Sequence, residues 1–124
     1  MSLLGPKSQD DLREMYARAA IYAATSRYEP FGLAPLEAAL SRCALVLNDN
    51  PVFHELWNDA GIFFNRDDSE DCAKHIDELR RDPELRTEYA NRAYNKACEN
   101  FAASRMVEEY EKAYQELAST VRLA

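Results

Sequence analysis

A chain of 124 residues, 47% hydrophobic and 30% charged with 3 Gly and 5 Pro, has the makeup of one small domain and excludes collagen-like, disordered and membrane-spanning classes. The net charge of −7 is spread along the chain, with 5 Lys+Arg against 8 Asp+Glu through Phe64 and 10 against 14 beyond it. No basic face is left for a phosphate backbone, so no nucleic acid is expected as a partner. No transmembrane segment is expected, because no run approaches the roughly 18 apolar residues it needs, and Met1-Ser2-Leu3-Leu4-Gly5 lacks the regions of a signal peptide; a cytoplasmic protein is the expectation.

The first periodic segment is a helix with Leu12, Met15, Tyr16, Ala19 and Ala20 on one face, Ser8 as its N-cap, and Asp10 and Asp11 in the first turn, where the helix dipole favours negative charge. Ile21 to Thr25 is short and apolar throughout, which predicts a strand buried on both faces. The loop from Ser26 to Gly32 breaks the periodicity before a helix over Leu33 to Ser41, with Pro35 in its first turn. Ala44 to Leu47 reads as a second strand, closed by the turn residues Asn48-Asp49-Asn50-Pro51. A short helix over Val52 to Trp57 then leads to a third strand, Ile62 to Phe64.

This alternation predicts an α/β fold, a Rossmann-like parallel sheet of about three strands flanked by helices and joined by right-handed crossovers, with a helical C-terminal tail. In the tail, Asp68 or Ser69 caps a helix with Cys72, Ile76 and Leu79 inward. Asp82-Pro83 starts another, carrying Leu85, Tyr89, Ala93, Ala97 and Phe101, and Ser104 starts a last one. The last helix has Val107, Tyr110, Tyr114, Leu117 and Val121 on one face, expected to pack on this sheet or on a neighbour; two heptads are too few for a coiled coil. Cys43, Cys72 and Cys98 lack paired-Cys or Cys/His spacing and predict buried thiols, with no metal site. His54 is expected to be satisfied among Phe53, Leu56 and Trp57, His75 to face solvent, and the tyrosines to serve the core.

In a doubly wound sheet, ligands bind outside the carboxyl ends of the strands. The loop after the first strand suits that place. Glu29 follows the strand, Gly32 permits close backbone approach, and the N–H groups of Phe31, Gly32 and Leu33 would point outward at the start of the next helix, which favours a diphosphate. Glu37, eight residues after Glu29, stands about one turn inside that helix. Two carboxylates flanking a phosphate cradle suit hydroxyls on both sides of a diphosphate, as in a nucleotide sugar, although spacing alone is more often that of ordinary dipole-compensating surface glutamates.

The full string Ser26-Arg27-Tyr28-Glu29-Pro30-Phe31-Gly32-Leu33-Ala34-Pro35-Leu36-Glu37-Ala38 closely resembles the Glu-x7-Glu signature of retaining GT-B glycosyltransferases, the group 1 or glycogen-synthase-like family. The resemblance extends to Gly5-Pro6, Leu12 and Tyr16-Ala17, to Asp49 through Glu55, and to Asp82 through Arg86. It implies that Glu29 contacts the transferred sugar near the reacting carbon, that Glu37 holds the ribose, and that the amides of Phe31, Gly32 and Leu33 line the diphosphate. It also implies transfer of a hexosyl group with retention, needing no metal and no cofactor beyond the nucleotide diphosphate sugar.

Two departures mark the chain off from many members. Ser41-Arg42-Cys43-Ala44 stands where they have Cys-Gly-x-Pro, and Pro51-Val52 where they have Gly-Gly. The basic residues that clamp the donor phosphates in the family precede this region, and Lys7, Arg18 and Arg27 are not in their motif context. The expectation is therefore that residues 1–124 form a single domain, the C-terminal half of a GT-B nucleotide-sugar-binding domain, with Met1-Ser2-Leu3 an appended start. Alone it would be inactive, would lack the parent's N-terminal portion, and would pair as a homodimer, either through the edge of its first strand or by exchange of helices. The rival expectation is a noncatalytic α/β binding or assembly module that keeps the fold.

Overall fold

The computed structural model describes residues 2–27, 33–101, 108–109, 112–113 and 115–119. Its elements are α1 (Gln9–Arg18), β1 (Ile21–Ala24), α2 (Leu33–Leu40), β2 (Ala44–Asn48), α3 (Pro51–Trp57), β3 (Gly61–Phe64), α4 (Ser69–Arg81) and α5 (Pro83–Phe101). Each element expected before Ser104 is present to within a residue or so at its ends, and the local chemistry explains the starts. Ser8 Oγ accepts the N–H of Asp11 at 3.2 Å, Asn50 Oδ1 accepts that of Phe53 at 2.9 Å ahead of Pro51, and Asp68 Oδ1 accepts those of Glu70 and Asp71 at 3.0 Å.

Among the described residues the strands form one parallel sheet in the order β1-β2-β3, with Ile21 opposite Ala44 and Leu45 opposite Gly61. Alternation along the strands feeds two cores. Leu45 and Leu47 pack on one face with Ala38 and Ala39 of α2, Phe53 and Trp57 of α3, and Ala93 and Ala97 of α5. Ala44 and Val46 pack on the other with Cys72 and Leu79 of α4 and Ala90 of α5. Covered on both faces, β2 is buried over its whole length, which is why it reads as a continuous apolar run.

The structure corrects several expectations. β1 is half-buried over Ile21 to Ala23, not buried on both faces, because among the described residues β2 is its one strand neighbour and α1 buries no residue. Cys43 and Cys72 are buried, but Cys98 is exposed, next to Ala97 yet turned off the face that Ala90, Ala93 and Ala97 present. His75 is largely covered, its ring between Asp71 at 3.6 Å and Glu78 at 3.2 Å. His54 meets expectation: its ring hydrogen-bonds Asp49 and stacks on Phe63 at 3.9 Å between centroids. Of the expected last helix, Ser104, Val107, Tyr110, Tyr114 and Val121 lie outside the described residues; Leu117 is helical but 61% exposed, not packed on the sheet. Among the described residues no helix is long and apolar enough to cross a membrane.

Candidate functional site

Parallel strands all end on the same rim, so the loops after β1, β2 and β3 converge there. That rim carries several polar residues although the strands that lead to it are apolar. A cleft of about 260 Å³ opens there, lined by Thr25, Arg27, Asn48, Phe64, Asp67, Ser69 and Cys72. Asn48, the last residue of β2, is 1% exposed, and its Nδ2 lies 3.3 Å from the carbonyl oxygens of both Thr25 and Ser26 and 3.2 Å from Asp67 Oδ1. Its Oδ1 accepts the N–H of Asp67 at 3.1 Å. Asn50, 3% exposed, donates from Nδ2 to the Ser26 carbonyl at 3.4 Å. Arg27 Nε pairs with Asp67 Oδ1 at 3.3 Å. Asp67 sits at φ 58°, a left-handed conformation that Asp tolerates better than most residues.

The acidic loop begins from this cluster. Glu29, Phe31 and Gly32 lie outside the described residues. Leu33 is the first residue of α2 and is exposed, so its N–H is among those with no partner inside the helix. Glu37 is exposed one turn further on and lines a separate cleft of about 270 Å³ between α1 and α2, with Gln9, Arg13, Tyr16, Leu40 and Ser41. Burial pushes the Tyr16 phenol above its ordinary range, and the nearby Glu37 and Cys43 add to the effect. A carboxylate beside a guanidinium, an amide and a phenol makes a surface that takes hydroxyl groups through several donors and acceptors.

Sequence reasoning placed Glu37 and Leu33 on one helix but missed Asn48, Asn50 and Asp67, and it set Arg27 aside. A larger cleft of about 450 Å³, lined by Asp59, Arg92, Asn95, Lys96 and Glu99 among others, lies at the amino end of β3, away from these loops. Its cations are already paired, Lys96 with Asp59 and Arg92 with Glu88.

A parallel sheet gathering polar groups at its carboxyl rim places the chain among α/β folds that bind ligands there. The family follows from comparison. The model of the family "Glycosyl transferases group 1" matches residues 1–96, and the chain belongs to that family. It is 35% identical over 97 residues to the lipopolysaccharide core biosynthesis mannosyltransferase LpcC of Rhizobium leguminosarum bv. viciae, covering 77% of this chain and 28% of that protein. It is 34% identical over 74 residues to the GDP-mannose:cellobiosyl-diphosphopolyprenol alpha-mannosyltransferase of Xanthomonas oryzae pv. oryzae (strain PXO99A), covering 58% and 20% respectively. The fold matches that of sucrose-phosphate synthase from Thermosynechococcus elongatus with a TM-score of 0.87 at 18% identity, over 96% of this chain and 30% of that one. The chain thus spans less than a third of each of these proteins.

Proposed function

We propose that this chain carries the donor-binding surface of a glycosyltransferase that moves a hexosyl group, with retention, from a nucleotide diphosphate sugar to an acceptor. Glu29 contacts the transferred sugar and stabilises positive charge developing at its reacting carbon. The N–H groups of Phe31, Gly32 and Leu33 receive the diphosphate, and Glu37 holds the ribose diol. The observation that carries this reading is the place of Glu37: one turn inside a helix whose start follows the rim loop, and in a cleft with Arg13 and Tyr16. The names of the two relatives support mannose as the sugar and GDP as the first nucleotide to test.

The test is calorimetric titration of GDP, UDP and ADP into the 124-residue chain and its Glu37→Ala variant. Weak GDP binding is expected, reduced by about 1.5–3 kcal/mol without the carboxylate, which is roughly 10- to 150-fold. Identical isotherms for the two proteins would remove Glu37 from the site. Transfer by this chain alone is expected to be undetectable, because catalysis requires donor and acceptor to be held in line and the residues named here face the donor only.

A further inference from the structure

We propose that Asn48 is a positioning residue for the donor site: its buried carboxamide ties the loop leaving β1 to the loop leaving β3 and so fixes the backbone from which the acidic loop starts. This rests on the donor-site reading above. Nothing about the sheet requires an amide at the end of β2, where a β-branched residue would continue the strand at no polar cost. The acceptor pattern does require one. Thr25 O, Ser26 O and Asp67 Oδ1 all face Nδ2, while the Asp67 N–H faces Oδ1. A carboxamide supplies two donor hydrogens and an acceptor in one plane, whereas a serine or threonine hydroxyl supplies one donor.

Asn48 and Asn50 are the two buried polar side chains among the described residues, and both donate to the Ser26 carbonyl. The molecule therefore spends its buried amides on the two residues ahead of Arg27, and Asp67 then holds Arg27 itself. Arg27 is thus tied directly, and Thr25 and Ser26 through Asn48, to a loop that lies on the far side of β2. A ligand bound by the segment that follows meets a loop whose base is already ordered, which lowers the entropy lost on binding.

The test compares wild type with Asn48→Ser and Asn48→Asp, and with Leu79→Val in the core of α4 as a variant of similar stability loss away from the rim. Two readouts are taken well below the unfolding temperature: amide hydrogen exchange over 25–27 and 65–68, and affinity for GDP. Asn48→Ser is expected to speed exchange in both loops by about tenfold and to weaken GDP by about the same factor. Asn48→Asp should do more, because a carboxylate there faces three acceptors. Leu79→Val should leave both readouts near wild type. Should Asn48→Ser not fold, Asp67→Gly suits φ 58°, keeps the backbone N–H, and removes the side-chain contacts to Asn48 and Arg27; it is expected to loosen the same loops by a smaller factor.

Unchanged exchange in both loops, or a loss of GDP affinity no larger than in Leu79→Val, overturns the positioning role. Absence of binding of GDP, UDP and ADP by wild type overturns the donor-site reading instead, and the exchange measurement still decides whether Asn48 joins the loops.

Discussion

The two ends of the sheet are closed by different chemistry. At the carboxyl end, side chains reach across: Asn48, Asn50, Asp67 and Arg27 bind loop backbone or one another across separations of 19 to 40 residues. At the amino end backbone hydrogen bonds close the turns, with side-chain contacts from Cys43, Arg42 and Lys96 beside them. Cys43 N–H donates to Ala38 O at 3.0 Å, Ala44 N–H to Ala20 O at 2.9 Å, and Ala60 N–H to Trp57 O at 3.0 Å, with small residues letting the segments approach. Turns closed mainly by backbone hydrogen bonds and apolar packing answer mainly to the fold. Loops closed by side chains answer to the identity of a few residues, and those few can be set for a ligand. Perturbing the amino end should therefore move stability alone, and perturbing the carboxyl end should move binding out of proportion to stability.

The largest effect is expected at Trp57, 1% exposed at the end of α3 beside the amino-end turn. Trp57→Ala removes a large buried side chain and should cost about 3–5 kcal/mol in urea denaturation followed by circular dichroism. In the fraction that remains folded at low temperature, GDP affinity should match wild type. A large affinity loss there would mean that the two ends are mechanically coupled and that the contrast between them fails.

Alkali offers a smaller and more local probe. Burial raises the Cys43 thiol above its ordinary value of 9.0, and its Sγ–H donates to the carbonyls of Ala19 at 3.3 Å and Tyr16 at 3.5 Å, where α1 ends. The folded state thus holds this proton more tightly than the unfolded chain. That contribution is complete below pH 9.0 and is lost as the pH rises through the raised value. Tyr16, raised above 10.0, and Cys72, raised mainly by burial and then by Asp71, act with the same sign. The urea midpoint should fall above pH 9.0, less steeply in Cys43→Ala; an identical slope in that variant would assign the alkaline loss to the other two groups.

The order of elements was legible in the sequence because its signals are local: Ser8, Asn50-Pro51 and Asp68 mark helix starts within four residues of the groups they cap. The rim was not legible for the opposite reason. Asn48 reads as part of a turn-forming run, and nothing near it indicates that its amide reaches back 23 residues to Thr25. The half-burial of β1 likewise depends on which strands lie beside it, which a local pattern does not contain. Two misses had a usable signal. Cys98 is one residue past the inward stripe of Ala90, Ala93 and Ala97 and so about 100° off it, and His75 has acidic residues at the i−4 and i+3 positions that face it on a helix. Of the candidate site, the helix placing Leu33 and Glu37 was legible, whereas the cluster that supports the loop before it was not.

The smallest expected effect tests how completely the amino end is governed by backbone geometry. Arg42 occupies φ 62° in the turn between α2 and β2. For a residue with a Cβ that conformation costs about 1–2 kcal/mol. Something must offset it, and the structure shows what: the guanidinium lies 3.8 Å from the ring centroid of Tyr94 on α5, and Nη1 donates to Asn91 Oδ1 at 3.5 Å. A partly exposed contact of this kind contributes about 0.5–1 kcal/mol. Arg42→Gly relieves the strain but loses the stack and adds freedom to the unfolded chain, so its net change should stay within about 0.5 kcal/mol. Arg42→Ala keeps the strain and loses the stack, and should be less stable than Arg42→Gly by about 1 kcal/mol. Equal urea midpoints for the two variants would show that the turn relaxes once the arginine is gone, and that the ring of Tyr94, rather than the backbone of the turn, sets the conformation at this end of the sheet.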